Sequence, residues 1–209
     1  MAALTDQPTP TPGNNGSIRA FLAVRVPHAA GMLEGLRSDP DLLTLPVRWQ
    51  MPEGLHITLA FLGESPSRQL AALWPDVARR AQQHQSLKLG LLQPELFPDS
   101  RRPSVVAAPV NDGRGLLQAI QTEAVQGLRD GGFDLEERAF RPHVSLGRLR
   151  PPLLRGQAAA IAAALRQRQW PEAGTFAVES VCLMRSDLFP DGARYSVLAE
   201  ASLNDSGHR

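Results

Sequence analysis

A short apolar stretch occurs twice in this 209-residue chain, each time carrying a histidine and, two residues on, a hydroxyl. The copies are Leu55-His56-Ile57-Thr58-Leu59 and Pro142-His143-Val144-Ser145-Leu146. Both read as strands. Side chains alternate faces along an extended chain, so Ile57, Leu59, Val144 and Leu146 belong to a core, and His56 with Thr58 and His143 with Ser145 share the opposite face. Within each copy the imidazole and hydroxyl stand roughly 7 Å apart along the strand. One buried and one wet face is the habit of antiparallel sheets. The chemistry is constrained as well. Two such strands side by side place two imidazoles about one substrate atom and two hydroxyls about its oxygens. Cleavage of a phosphodiester needs this set: a base for the nucleophile, an acid for the leaving oxygen, and donors for the phosphoryl oxygens.

Each piece alone has a plainer reading. A single strand histidine is more often structural, threonine is simply a good strand residue, and a strand serine can face solvent. Repetition of residue type, offset and surroundings argues instead for a catalytic pair, His56 and His143, with Thr58 and Ser145 as substrate-holding hydroxyls.

The rest of the chain alternates strands and helices. Ile18–Val26 reads as a strand, and Ala29, Met32, Leu33 and Leu36 fall at helical spacing. His56–Gly63 is the next strand. Ser65-Pro66 suggests a helix start, and Leu70, Leu73, Val77 and Ala81 form one face of a helix that Pro75 should kink or split. Ser86–Phe97 and Ser104–Val110 read as strands about a polar turn, Pro98–Arg102. A helix marked by Leu117, Ile120, Ala124 and Leu128 ends at Gly131-Gly132. His143–Leu149, an alanine-rich helix over 154–169, and a strand pair, Thr175–Arg185 with Arg194–Leu203, complete the chain. The class is α+β, with one histidine motif in each half, in the manner of a duplicated unit.

Composition narrows the function. The chain is 43% hydrophobic, enough for a sizeable core, and no apolar run reaches membrane-spanning length. Residues 1–17 lack the basic start and apolar centre of a signal peptide and read as a disordered tail, and 204–209 read as a C-terminal tail. Cys182, the single cysteine, excludes an intrachain disulfide and fits a reducing cytoplasm. It reads as a buried strand residue rather than a nucleophile. A net charge of +1 argues against a protein that coats nucleic acid indiscriminately, so any RNA contact is local. Most arginines near the motifs, among them Arg48, Arg141, Arg185 and Arg194, read as solvated surface. Arg148, three positions past Ser145 at the end of the same strand, is set apart from these. No acidic residue lies within two positions of either motif histidine, so no metal site is expected. No glycine-rich phosphate loop is present and the only lysine, Lys88, is far from both motifs, so no nucleotide cofactor is expected either.

The two motifs in their context resemble the two-histidine (2H) phosphoesterases, and within them the bacterial RNA 2′,3′-cyclic phosphodiesterases, historically called 2′-5′ RNA ligases. The resemblance runs over residues 18–203. It rests on Arg19–Val24, on Val47-Arg48-Trp49 followed by Leu55–Gly63, on Phe140–Arg148, and on Ser186-Asp187-Leu188 with Gly192 and Tyr195. It implies two pseudo-symmetric lobes, each an antiparallel sheet backed by helices, with the active site in the cleft between them. It further implies hydrolysis of RNA 2′,3′-cyclic phosphate ends to 2′-phosphomonoesters, with His143 as base and His56 as acid. Thr58, Ser145 and Arg148 would hold the phosphoryl group, and the reverse reaction would make a 2′-5′ linkage. A cytoplasmic monomer acting on RNA ends, with no membrane partner, is expected; a non-catalytic RNA-end binder is the alternative. Ser145 departs from the threonine common in the second motif and lacks the methyl that fixes the rotamer. Phe21, Trp49 and Phe61 are the aromatics that could stack on a base.

Overall fold

The computed structural model describes residues 16–99, 102–168, 175–190 and 192–204. Its strands are β1 (Ser17–Arg25), β2 (Val47–Trp49), β3 (His56–Pro66), β4 (Leu87–Leu91), β5 (Glu95–Phe97), β6 (Val105–Asn111), β7 (His143–Leu149), β8 (Thr175–Val178), β9 (Ser180–Phe189) and β10 (Gly192–Ser202). The helices are α1 (Ala30–Arg37), α2 (Pro40–Leu43), α3 (Ser67–Ala81), α4 (Leu116–Asp130) and α5 (Gln157–Arg166). None is long and apolar enough to cross a membrane. Of the expected tails, residues 1–15 and 205–209 lie outside the described residues, Ser17 already belongs to β1, and Asn204 bridges to Gln85.

The ten strands form one sheet in the order β10-β9-β1-β3-β7-β6-β4-β8, with β2 added to β7 and β5 to β6. Among the described residues every strand pair is antiparallel, in keeping with the one wet face of the motif strands. Along the main path each motif strand is the inner member of a run of four, β2 and β5 adding to the β7 run, and the two runs meet at one residue pair, Ile57↔Val144. Beyond it β2 takes over the same edge of β7, pairing with Gly147–Leu149, so the halves diverge at once. Two lobes with a sheet each were expected, whereas the sheet is continuous. The single pair Ile57↔Val144 is what joins them.

The helices cover one face. Met32, Leu33 and Leu36 of α1, Leu70, Leu73, Val77 and Ala81 of α3, Leu117, Ile120, Ala124 and Leu128 of α4, and Ile161 and Leu165 of α5 are buried in one core with Leu22, Val24, Ile57, Leu59, Val144 and Leu146. Truncating a fully buried leucine such as Leu146 to alanine costs about 2–5 kcal/mol. On the other face a small cluster of Phe21, Ala23, Cys182 and Met184 is flanked by Tyr195 and Val197. Burial first of all pushes the Cys182 thiol up to about 11, which makes it inert, as its apolar strand context indicated.

Four local expectations shift. Ser65 and Pro66 end β3 instead of starting a helix: the Ser65 hydroxyl donates to the Leu62 carbonyl, and α3 begins at Ser67. Pro75 lies inside a helix that continues through it. The strand expected over 86–97 is divided into β4 and β5. The strand expected over 175–185 is divided too, β8 joining β4 at the far end of the sheet while β9 joins β1.

Candidate active site

Antiparallel register sets the site. With Ile57 opposite Val144, His56 comes opposite Ser145 and Thr58 opposite His143. Directly opposed residues have Cβ atoms about 5 Å apart, and residues two apart on a strand are about 7 Å apart. In ideal antiparallel register about that one pair the four side chains stand at the corners of a rectangle, with histidines on one diagonal and hydroxyls on the other. Burial follows the alternation: Ile57, Leu59, Val144 and Leu146 are buried, and the four motif residues are half-buried. Among the described residues neither hydroxyl makes a hydrogen bond within the protein, so each can donate to an incoming group.

Both rings are held alike. His56 Nδ1 lies 2.6 Å from the Gly54 carbonyl and His143 Nδ1 lies 2.7 Å from the Arg141 carbonyl, each two residues upstream. A carbonyl only accepts, so Nδ1 donates its proton in both cases and Nε2 is the titrating atom. Burial is the main influence on each pKa and lowers it below the usual imidazole value. The carbonyl hydrogen bond opposes it, and a neighbouring positive charge lowers the pKa further: His143 acts on His56, and Arg141 on His143.

Their surroundings differ. The His56 ring lies 4.9 Å from Tyr195, edge-on, and 4.7 Å from Phe21. The His143 ring stacks on Phe97 at 4.0 Å, and the Arg141 guanidinium lies 4.4 Å from the centre of the Phe97 ring. His56, Thr58, Ser145 and Arg148 line a cavity of about 430 Å³, whereas His143 stands beside it on the same face of β7. The β9–β10 hairpin supplies another wall through Leu188, Phe189, Gly192 and Tyr195.

Arg148 reaches this face through a β-bulge. By strict alternation it would share a face with Val144 and Leu146. However, the β6–β7 register passes from Ala107↔Ser145 to Val106↔Gly147, leaving Leu146 unpaired. One extra residue inverts the alternation, so Gly147 turns inward and Arg148 outward. Strand β3 does the same: Ala23↔Thr58 is followed by Leu22↔Ala60, Leu59 is unpaired, and Phe61 emerges on the cavity wall. Both bulged carbonyls are satisfied, Leu59 O by Gln121 Nε2 at 3.3 Å and Leu146 O by the Gln50 N–H at 2.9 Å. Gly147 is required where it stands, since a Cβ there would lie 2.7 Å from both the Trp49 ring and Val47 Cγ1.

The structure thus brings His56, His143, Thr58, Ser145 and Arg148 to one face. Of the three candidate stacking aromatics, Phe21 is buried, Trp49 packs over Gly147, and only Phe61 is open, 71% exposed. Sequence reasoning missed Tyr195 and Phe97 as ring neighbours of the histidines, and it took Arg48, which lines the cavity, for solvated surface. For Tyr195 a signal existed in its place in the closing segment. For Phe97 there was none. No three His, Cys, Asp or Glu side chains converge on a common point among the described residues.

Comparison with known proteins follows the same lines. Residues 50–188 match the 2′-5′ RNA ligase superfamily. A protein from Aeropyrum pernix named RNA 2′,3′-cyclic phosphodiesterase is 30% identical over 177 residues, covering 85% of this chain and 98% of that one. The crystal structure of TT0787 from Thermus thermophilus superposes with a TM-score of 0.66 at 26% identity, over 90% of this chain and all of the other. Escherichia coli LigT complexed with 3′-AMP gives 0.64 at 25% identity, over 90% and 98%.

Proposed function

The chain belongs to the 2′-5′ RNA ligase superfamily, the 2H phosphoesterases, and from that premise we propose that it hydrolyses RNA 2′,3′-cyclic phosphate ends to 2′-phosphomonoesters by paired-histidine acid–base catalysis. The observation that carries this reading is the rectangle of His56, Ser145, Thr58 and His143 with both Nδ1 atoms tied to carbonyls. Such a site holds a phosphoryl group between two imidazole Nε2 atoms and two hydroxyls. Support for a nucleotide as ligand comes from LigT, which binds 3′-AMP, and from relatives named for the activity.

In this mechanism water attacks phosphorus as the bond to the ribose O3′ breaks. His143 Nε2 takes the proton from water, and His56 Nε2 gives one to O3′. His56 lines the cavity that would enclose the nucleotide, which suits the group that protonates a ribose oxygen. His143 stands beside that cavity, where water arrives. Thr58, Ser145 and the Arg148 guanidinium stabilise charge on the non-bridging oxygens. Run backwards with an RNA 5′-hydroxyl in place of water, the same steps form a 2′-5′ linkage.

The test is turnover of adenosine 2′,3′-cyclic phosphate by exhaustively chelated protein, with the product followed by phosphorus NMR. Adenosine 2′-phosphate, formed without added metal or ATP, is the expected product. Strict dependence on magnesium, zinc or ATP contradicts the mechanism, and tight binding without turnover would make the protein a binder of RNA ends.

A further inference from the structure

We infer that the cleft continues past the scissile phosphate into a second anion subsite, formed by Arg48 and Arg194 beside Arg148, which takes the phosphodiester on the 5′ side of the terminal nucleotide. The inference rests on the reading of the cleft as a cyclic-phosphate site and has it favour a terminal nucleotide that carries a 5′ phosphodiester over one that does not.

The first observation is a pair of like charges. In the β2–β7 ladder Arg48 lies directly opposite Arg148, so the two guanidinium stems rise on one face. Like charges in directly opposed positions destabilise a sheet. Some arginines elsewhere are compensated: Arg80 is ion-paired with Asp76, Glu123 and Asp130, and Arg185 with Asp187. Among the described residues neither Arg48 nor Arg148 has a carboxylate within 4.0 Å. A bound anion between them offsets the repulsion. One phosphoryl group occupies Arg148 in the proposed chemistry, which leaves Arg48 facing the next.

The second observation is space of the right kind. A pocket of about 100 Å³ lies against Arg48, Trp49, Gln50, Arg148, Gly192 and Arg194. Arg48, Arg148 and Gly192 also line the larger cavity, so the two spaces are contiguous. At roughly 30 Å³ per water, the smaller one holds about three waters, the scale of a single anionic group and not of a nucleoside. The hairpin frames the arginines. Arg194 rests on the Phe189 ring at 4.4 Å, and the hairpin passes so close to Arg48 that a Cβ on Gly192 would lie 3.7 Å from its Nε. Gly192, at φ +141°, is where the chain turns to make this approach. Guanidinium forks held this way suit the paired oxygens of a phosphodiester.

The experiment compares two dinucleotides that end in a 2′,3′-cyclic phosphate, one with a natural phosphodiester between its adenosines and one with an uncharged methylphosphonate there. The expected result is that wild-type protein favours the natural linkage by roughly 10-fold in kcat/KM, the scale of one charge-assisted hydrogen bond. Arg48→Ala brings the ratio towards one and Arg194→Ala narrows it. Equal kcat/KM for the two linkages in the wild type overturns the proposal and needs no variant to fold. So does an Arg48→Ala loss that is the same for both. Calorimetric binding of the corresponding non-cyclic dinucleotide 2′-phosphates separates the two readings. Linkage-dependent binding without turnover removes the phosphodiesterase and keeps the subsite; turnover without linkage preference does the reverse.

Discussion

Strands β3 and β7 have one backbone and two sets of furnishings. Each begins with a histidine tied through Nδ1 to the carbonyl two residues back, continues with a hydroxyl, leaves the next leucine unpaired as a bulge, and so turns the residue after next onto the cleft. On β7 that residue is Arg148, and on β3 it is Phe61. Neighbours diverge in the same sense. His56 sits between the rings of Phe21 and Tyr195 in the cavity wall, and His143 stacks on Phe97 under Arg141 at its side. In the proposed mechanism the shared backbone geometry supplies the acid–base pair and hydroxyls, and the residues that differ divide the substrate, Arg148 of β7 towards the phosphate and Phe61 of β3 towards the nucleoside.

The largest expected effect tests what the two strands share. Replacing either His56 or His143 with alanine should lower kcat by roughly 10²–10⁴-fold, the usual contribution of a positioned acid or base. Thermal unfolding should change little, because the rings lie outside the main core. Activity loss that tracks loss of fold would mean that the histidines only support the sheet.

Arg148→Ala and Phe61→Ala sharpen the difference between the strands. The first removes charge-assisted hydrogen bonds and should cost about 1–3 kcal/mol in transition-state stabilisation. It should also weaken inhibition by inorganic phosphate. Loss of the Phe61 ring should cost about 1 kcal/mol, the low end for base stacking, and should show against nucleotide much more than against inorganic phosphate. If both variants weaken phosphate equally, the division of labour is wrong. Gly147→Ala attacks the β7 bulge from its buried side, where a methyl meets Trp49 and Val47. Unfolding should be easier by about 1–3 kcal/mol and kcat/KM should fall with Arg148 displaced; an unchanged melting temperature would show that the bulge tolerates a side chain.

The smallest expected effect is on pH. Both histidines are held below the ordinary value of 6.5, so the bell in kcat/KM, which reports the free protein, should centre on the acid side of it. The sign for stability follows. Folded protein binds fewer protons at these rings than unfolded protein does. Stability is therefore full above 6.5 and declines as pH falls from 6.5 through the lowered folded values. Each His→Ala variant should flatten that decline, as chemical denaturation across the range would show.

Periodicity made much of this legible. The alternation at 56–59 and 143–146, the apolar faces of α3 and α4, and the shared offset of histidine and hydroxyl are local properties, and they placed both motifs on wet strand faces. Pairing between distant strands was not legible. The register Ile57↔Val144, which joins two expected sheets into one, depends on neighbours far apart in the chain. So does the parting of β8 from β9. Bulges were hidden as well: nothing about Leu146 itself says that it is skipped, yet the skip decides on which face Arg148 emerges. Arg48 looked like surface because its partner across the ladder lies a hundred residues on.

The most direct test of paired-histidine catalysis replaces the leaving oxygen. In a 2′,3′-cyclic phosphorothiolate with sulfur at the 3′ position, the departing thiolate needs no proton, so a general acid has nothing left to do. His56→Ala should hydrolyse this substrate nearly as fast as the wild type does, whereas His143→Ala should stay as impaired as on the oxygen substrate. Rescue of the His143 variant instead would exchange the two roles, and rescue of neither would contradict acid–base catalysis by the pair.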